Sequence, residues 1–146
     1  MPSFGSTSQA RLDTCHPHLL KVFNRVVQFH DCAVLEGHRS KTRQDEAFES
    51  GASKVEFPNS KHNVSPSNAA DVAPYFSSRG GVIWPNKNTR PETYTKDLAQ
   101  FYYFAGIVIG TARDMGIELR WGGDWDRDHD ILDQRFDDLV HFERIL

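Results

Sequence analysis

His62 and Asp71 stand nine positions apart, separated by the turn-rich Ser65-Pro66-Ser67-Asn68. Asp71 lies in the short apolar run Ala69 to Pro74, which reads as a strand that Pro74 ends. A carboxylate inside an apolar strand is costly unless it is paired or holds a metal ion. His62 supplies a second donor from the preceding loop. A third comes from Asp138-Leu139-Val140-His141-Phe142-Glu143, which alternates as a strand does. That alternation puts His141 and Glu143 on one face and Val140 and Phe142 on the other. Two histidines and one aspartate, with a fourth position open, are the ligand set of a catalytic zinc site. Asp138, three residues before His141, is then the carboxylate that moves protons beside the metal.

The elements that must position these groups follow from the hydrophobic pattern. Residues 1–10 are polar and read as loose. Pro17 suits a first helical turn, and Leu19, Leu20, Phe23, Val26 and Val27 keep helical spacing, so residues 16–30 read as an amphipathic helix. Cys32 to Glu36 is a short strand. Ser40 caps a helix from Lys41 to Ser50 that Gly51 stops. Phe76 to Pro85 reads as a hairpin-like excursion. Thr95 caps a long helix with Leu98, Phe101, Tyr102, Ala105, Val108, Ile109 and Ala112 on its apolar face, and Gly116 ends it. Its aromatic run belongs to the core by its spacing. Ile117 to Trp121 is a further strand, and Gly122-Gly123 allow unusual backbone angles beside the cleft. Alternating helices and short strands give an α+β fold. The expected form is a small, mainly antiparallel sheet with two or three helices packed on one side, and the metal ligands on its open face.

At Ser60-x-His62, Ala69-x-Asp71 and Asp138-x-x-His141 the chain resembles the zinc peptidases of the D-alanyl-D-alanine carboxypeptidase and VanY group. Within it, the sequence looks most like phage endolysins that are L-alanyl-D-glutamate peptidases. Glu36-Gly37-His38-Arg39-Ser40 and Trp121-Gly122-Gly123-Asp124-Trp125 extend the likeness over nearly the whole chain. The family's common form has seven positions between the first His and the Asp, with a Gly inside; here the offset is nine, with Pro66 and no Gly. The resemblance implies a Hedgehog/DD-peptidase-like sheet and zinc on His62, Asp71 and His141. It implies Asp138 as the acid and base, and Arg39 turned into the cleft to hold a substrate carboxylate or steady an oxyanion. Ser60 and Trp125 would contact substrate. Cleavage of the L-alanyl-D-glutamate bond of the peptidoglycan stem peptide is the implied reaction. D-alanyl-D-alanine carboxypeptidase action is the alternative within the group. A non-catalytic cell-wall-binding phage protein is the alternative outside it.

Asp124, Asp126, Asp128 and Asp130 alternate in an acidic loop that also holds Asp133. The pattern resembles the first half of an EF-hand, without Gly at position six, where His129 sits, and without Glu at position twelve, where Arg135 sits. It reads either as a solvated loop or as a weak calcium site. Some related endolysins carry a calcium-responsive loop here.

The bounds are consistent with these readings. A chain of 146 residues is expected to form one domain, 1–146, without a separate cell-wall-binding domain, and to bury roughly 68–70% of the surface its unfolded chain exposes. Net charge is −3, which argues against capture of nucleic acid and against the nuclease that His62-Asn63 weakly suggests. Cys15 and Cys32 are too few for a disulfide framework or a thiolate zinc site and read as buried free thiols. The first residues lack the charged start and apolar run of a signal peptide. No apolar run approaches the ~20 residues that span a bilayer, so no membrane insertion is expected. The expectation is a monomer made in the host cytoplasm that reaches the cell wall through a separate release factor.

Overall fold

The computed structural model describes residues 1–146. Its elements are α1 (Ser6–Leu12), α2 (Pro17–Val26), β1 (Cys32–Glu36), α3 (Lys41–Glu49), β2 (Ala69–Pro74), α4 (Tyr94–Asp114), β3 (Leu119–Gly122) and β4 (Asp138–Arg144). The strands form one antiparallel sheet in the order β1-β2-β4-β3. This is the expected α+β architecture. Helices α2 and α4 pack together and lie against one face of the sheet. The core between them holds Leu19, Phe23, Val26, Val72, Phe104, Val108 and Phe142. Phe142 is fully buried, with ring centroids 5.5 Å from Phe23 and 6.2 Å from Phe104. It fastens β4 from beneath, and truncating such a residue to Ala costs about 3–5 kcal/mol.

Three boundaries differ from the sequence reading. Residues 6–12 are helical rather than loose. Their sequence has no apolar stripe, and tertiary contacts hold them. Leu12 enters the core, Ser8 Oγ accepts the Val34 N–H at 3.1 Å, and Arg11 Nη1 donates to the Val34 carbonyl at 3.1 Å. Helix α1 thereby covers the open edge of β1, which would otherwise present unpaired backbone groups. The second helix stops at Val26, and the third aliphatic turn ends in the Val27 cap. The long helix begins at Tyr94, capped at Thr93 rather than Thr95. Thr93 Oγ1 and Arg90 Nε both donate to the buried Asp97, at 2.8 and 2.7 Å, and fix that first turn. The excursion after β2 closes as a tight turn, with Phe76 bridging to Gly81 around a short 3-10 turn at Ser77–Arg79.

Candidate metal centre and cleft

Antiparallel pairing sets Asp71 on β2 directly opposite His141 on β4. Ala70 and Val72 face the core, so Asp71 must face the other side. His62 reaches this pair from the loop before β2. That loop is closed by the Asn68 N–H on the Lys61 carbonyl at 3.0 Å. Ser67 pins it between α1 and α2, donating to the Thr14 carbonyl at 2.8 Å and accepting from His16 N at 2.9 Å. The two extra positions between His62 and Asp71 are absorbed in this closed loop, away from the sheet.

The result is a triangle of donors. His62 Nε2 lies 3.1 Å from Asp71 Oδ1 and 3.3 Å from His141 Nδ1, and His141 Nδ1 lies 3.3 Å from Asp71 Oδ1. An ion held tetrahedrally at about 2.0–2.1 Å needs donors about 3.3 Å apart. The spacing therefore suits a metal ion. The outer nitrogens agree with it. His62 Nδ1 sits 2.7 Å from the Gly37 carbonyl, and His141 Nε2 sits 2.9 Å from Glu143 Oε1. Both contacts require N–H on the outer nitrogen, so the inner nitrogens face Asp71, as N–H donors while the rings are protonated and as the lone pairs a metal ion would take once those protons leave. Glu143 is itself held by Arg120, whose Nη2 donates at 2.8 Å.

Charge follows geometry. Burial alone would raise the Asp71 pKa, but the His62 charge and hydrogen bonds from His141 and His62 outweigh it and hold the group well below the carboxylate range. Burial pulls His141 down, but its bonds to Asp71 and Glu143 prevail and bring it to about 9. Burial would likewise raise Glu143, but His141 and Arg120 hold it at about 2. A raised histidine pKa stabilises the metal-free fold below the ordinary 6.5, a contribution lost as pH rises through about 9. Metal uptake must expel that proton. Titration of the metal-free protein with zinc is thus expected to show apparent affinity rising about tenfold per pH unit between 6.5 and 9, levelling above.

Two strand irregularities build the rest of the cleft. On β1, Val34 pairs with Val72 and Glu36 with Asp71, so Leu35 is an extra residue. Strict alternation would leave Glu36 on the core face with Val34; the bulge turns it to the cleft. On β4, Phe142 pairs with Trp121 and Asp138 with the next residue, Gly122, so residues 139–141 have no partners on β3. Leu139 packs on the core while both Val140 and His141 line the cleft. The expected assignment of Val140 to the Phe142 face is therefore corrected. This bulge is what brings Asp138 to the His141 side, which an offset of three in a regular strand could not do. Trp121 Nε1 donates to the Leu139 carbonyl at 2.8 Å and holds the bulge. Burial and the Asp71 charge raise the pKa of Asp138 against the pull of His141, His62 and Arg39.

Gly122 is required here by close approach rather than by unusual backbone angles, since its φ is not positive. A Cβ there would collide with the Asp138 carbonyl, and one at Gly123 with the Trp121 ring. Gly122→Ala is expected to cost about 1–3 kcal/mol of stability and to displace Asp138. Activity should fall while bound metal stays at the parental level, as elemental analysis and a thermal melt would show.

The cleft encloses about 530 Å³. Arg39 lies on its floor, 9% exposed, with Nε on Glu36 Oε1 at 2.7 Å, Nη1 on Gln44 Oε1 at 3.0 Å and Nη2 3.5 Å from Asp71 Oδ2. Ser60 also lines it, with its Oγ accepting the His62 N–H at 3.2 Å. Trp125 forms one wall, 5.5 Å from the His141 ring and stacked on Phe136 at 6.4 Å. Gln44 and Glu36 carry no sequence signal for these roles. Glu143 does: two residues beyond His141 on a strand, it shares its face. Cys15 and Cys32 are buried free thiols.

In the acidic loop, Asp124, Asp126 and Asp128 each bring one oxygen to within 4.8 Å of the others. Asp130 instead turns away to accept the Leu132 N–H at 2.9 Å. Asp124 Oδ1 is buried without a hydrogen-bond partner. His129 adopts φ 75°, the left-handed conformation that glycine supplies at the sixth position of an EF-hand loop.

The fold and the cleft together are those of a small hydrolase built on a sheet, with a donor group that could hold a metal ion. A family model, phage L-alanyl-D-glutamate peptidase, matches residues 2–145. The L-alanyl-D-glutamate peptidase of Escherichia phage T5 is 26% identical over 133 residues, covering 90% of this chain and 87% of that protein. The solved structure of the Serratia marcescens L-Ala D-Glu endopeptidase ChiX superposes with a TM-score of 0.66 at 27% identity, covering 97% of this chain and 89% of that one. The chain belongs to the phage L-alanyl-D-glutamate peptidase family. It is a peptidase of the endolysin type, and no helix in it is long and apolar enough to cross a membrane.

Proposed function

We propose that the protein is a zinc-dependent endopeptidase that cuts the L-alanyl-D-glutamate bond of peptidoglycan stem peptides, with zinc held by His62, Asp71 and His141. The observation that carries this reading is the donor triangle at tetrahedral spacing, with its outer nitrogens already engaged, on the floor of a cleft that Asp138 and Arg39 share. When bound there, zinc supplies Lewis acidity toward a carbonyl and toward water. The chain's own residues supply the remainder. Asp138, its pKa raised by burial and by the Asp71 charge, takes a proton from the attacking water as the carboxylate and then, as the acid so formed, delivers it to the departing amine of D-glutamate. Arg39, paired to Glu36 and close to Asp71, steadies the ligand carboxylate and adds positive charge where the carbonyl oxygen becomes negative. Glu143 fixes the orientation of His141, Ser60 fixes the loop of His62, and Trp125 with Phe136 walls off water. Host lysis is the role this chemistry serves, with the protein acting as a monomer on the wall after a separate factor lets it pass the membrane.

Mass spectrometry of digested peptidoglycan tests the bond. Peptides beginning with D-glutamate or its amide, with alanine left on the glycan, are the expected products. Free D-alanine without loss of turbidity would instead show a carboxypeptidase.

A second cation reading is favoured by the orphaned Asp124 Oδ1 and by the left-handed His129. On that reading Asp124, Asp126 and Asp128 hold calcium weakly and order the cleft wall that begins at Trp125. Millimolar calcium should raise the melting temperature, and the double variant Asp126→Asn with Asp128→Asn should abolish that response. No shift in the parent protein would leave a solvated acidic loop.

A further inference from the structure

Five cations line the cleft: Arg39, Arg43, Lys54, Lys61 and Arg120. Three are already committed. Arg39 pairs with Glu36, Arg43 with Glu36 and Glu46, and Arg120 with Glu143. Lys54 and Lys61 enter none of the protein's ion pairs. Lys61 is half-buried and directly precedes His62. Lys54 stands on the Phe136 ring, Nζ 5.3 Å from its centroid, and Phe136 is stacked on Trp125 beside His141. The two free ammonium groups thus mark one place next to the His62 loop and another two aromatic rings away from His141. Of the four carboxylates that line the cleft, Glu36 and Glu143 are neutralised by arginine, Asp71 faces two imidazoles, and Asp138 alone has no ion-pair partner, against two free ammonium groups. The cleft therefore carries surplus positive charge on a chain whose net charge is −3. A half-buried ammonium without a counter-ion gains most when an anion arrives to share its site.

The reading above, on which this inference rests, supplies that anion. D-Glutamate in the cleaved linkage continues through its γ-carboxyl, so its α-carboxyl stands free beside the scissile bond, either as the acid or as an amide. The Arg39 fork, filled by Glu36 and Gln44, is not open to it. We infer that Lys61, supported by Lys54, is the specificity-determining site for this α-carboxylate, and that the protein selects stem peptides whose D-glutamate is not amidated. Loss of one charge-assisted hydrogen bond predicts a preference of about 10- to 100-fold in kcat/KM for the acid over the amide.

The test is a matched pair of synthetic stem peptides differing only in α-carboxylate or α-carboxamide, digested by the zinc-loaded protein and followed by mass spectrometry. The parent is expected to favour the acid by that factor, and the preference should shrink as salt rises. In Lys61→Met with Lys54→Met the ratio should collapse toward one, chiefly through KM, and Lys61→Arg should restore it. Zinc content and melting temperature, measured in each variant, show that the centre itself is intact. Equal cleavage of the two peptides by the parent, or a preference that survives the double substitution, overturns the inference and leaves the peptidase reading standing. Cleavage of neither peptide overturns the bond assignment and the inference with it.

Discussion

His141→Ala is expected to leave a folded protein that holds no zinc and cleaves no peptidoglycan. His141 contributes the donor at two sides of the triangle, 3.3 Å from both His62 Nε2 and Asp71 Oδ1. Without it, two donors remain, and a loss well beyond the about 10–100-fold typical of an outer hydrogen-bond partner follows. The strand itself should persist, because Phe142 secures it from the core side and Glu143 keeps Arg120. Elemental analysis of the purified variant beside the parent is the deciding measurement. One full equivalent of zinc in His141→Ala, with activity retained, would remove this residue from the centre.

Asp138→Ala should give the opposite pattern: zinc retained, and kcat reduced about 10²–10⁴-fold, the usual worth of a general acid and base. Asp138 lines the cleft, whereas its neighbour Asp137 is exposed and does not. Asp137→Ala is accordingly expected to be close to the parent. An inactive Asp137→Ala beside a normal Asp138→Ala would reverse the assignment. Asp138→Asn sharpens the test, since it keeps the shape of the side chain but cannot exchange the proton.

The donor residues were legible in the sequence because their chemistry is scarce and their surroundings unusual. A histidine and an aspartate flanked by turn residues and alanines, and a second histidine inside an alternating run, leave few structural uses for those side chains. The sheet and its two large helices were legible from apolar periodicity. Helix α1 was not, because its polar sequence becomes helical only by capping the edge of β1 through Ser8 and Arg11. Nor were the two bulges, since a bulge depends on the partner strand and leaves no mark in the residues that form it. The sequence pattern therefore placed Val140 with Phe142 and gave no reason for Asp138 to share a face with His141. Gln44 was equally silent. It is fully buried, ties Arg39 to the loop through Ser53 and Val55, and reads in sequence as one more polar residue on a helix.

The β4 bulge also divides the chain into stretches that tolerate a change of length and one that does not. Between His62 and Asp71 the backbone returns through the closure from Lys61 to Asn68 and the pinned Ser67, so residues can be added before Ser67 while both donors stay where they are. Between Asp138 and His141 there is no such freedom. Three residues there stand opposite the single step from Trp121 to Gly122, so deleting one would shorten the bulge and pull Asp138 out of its place beside His141. Descent with insertions and deletions should therefore have left its traces in the first interval and none in the second. Anyone grafting this centre onto another sheet must carry the irregular segment from Asp138 to Phe142 whole, together with Gly122 opposite it.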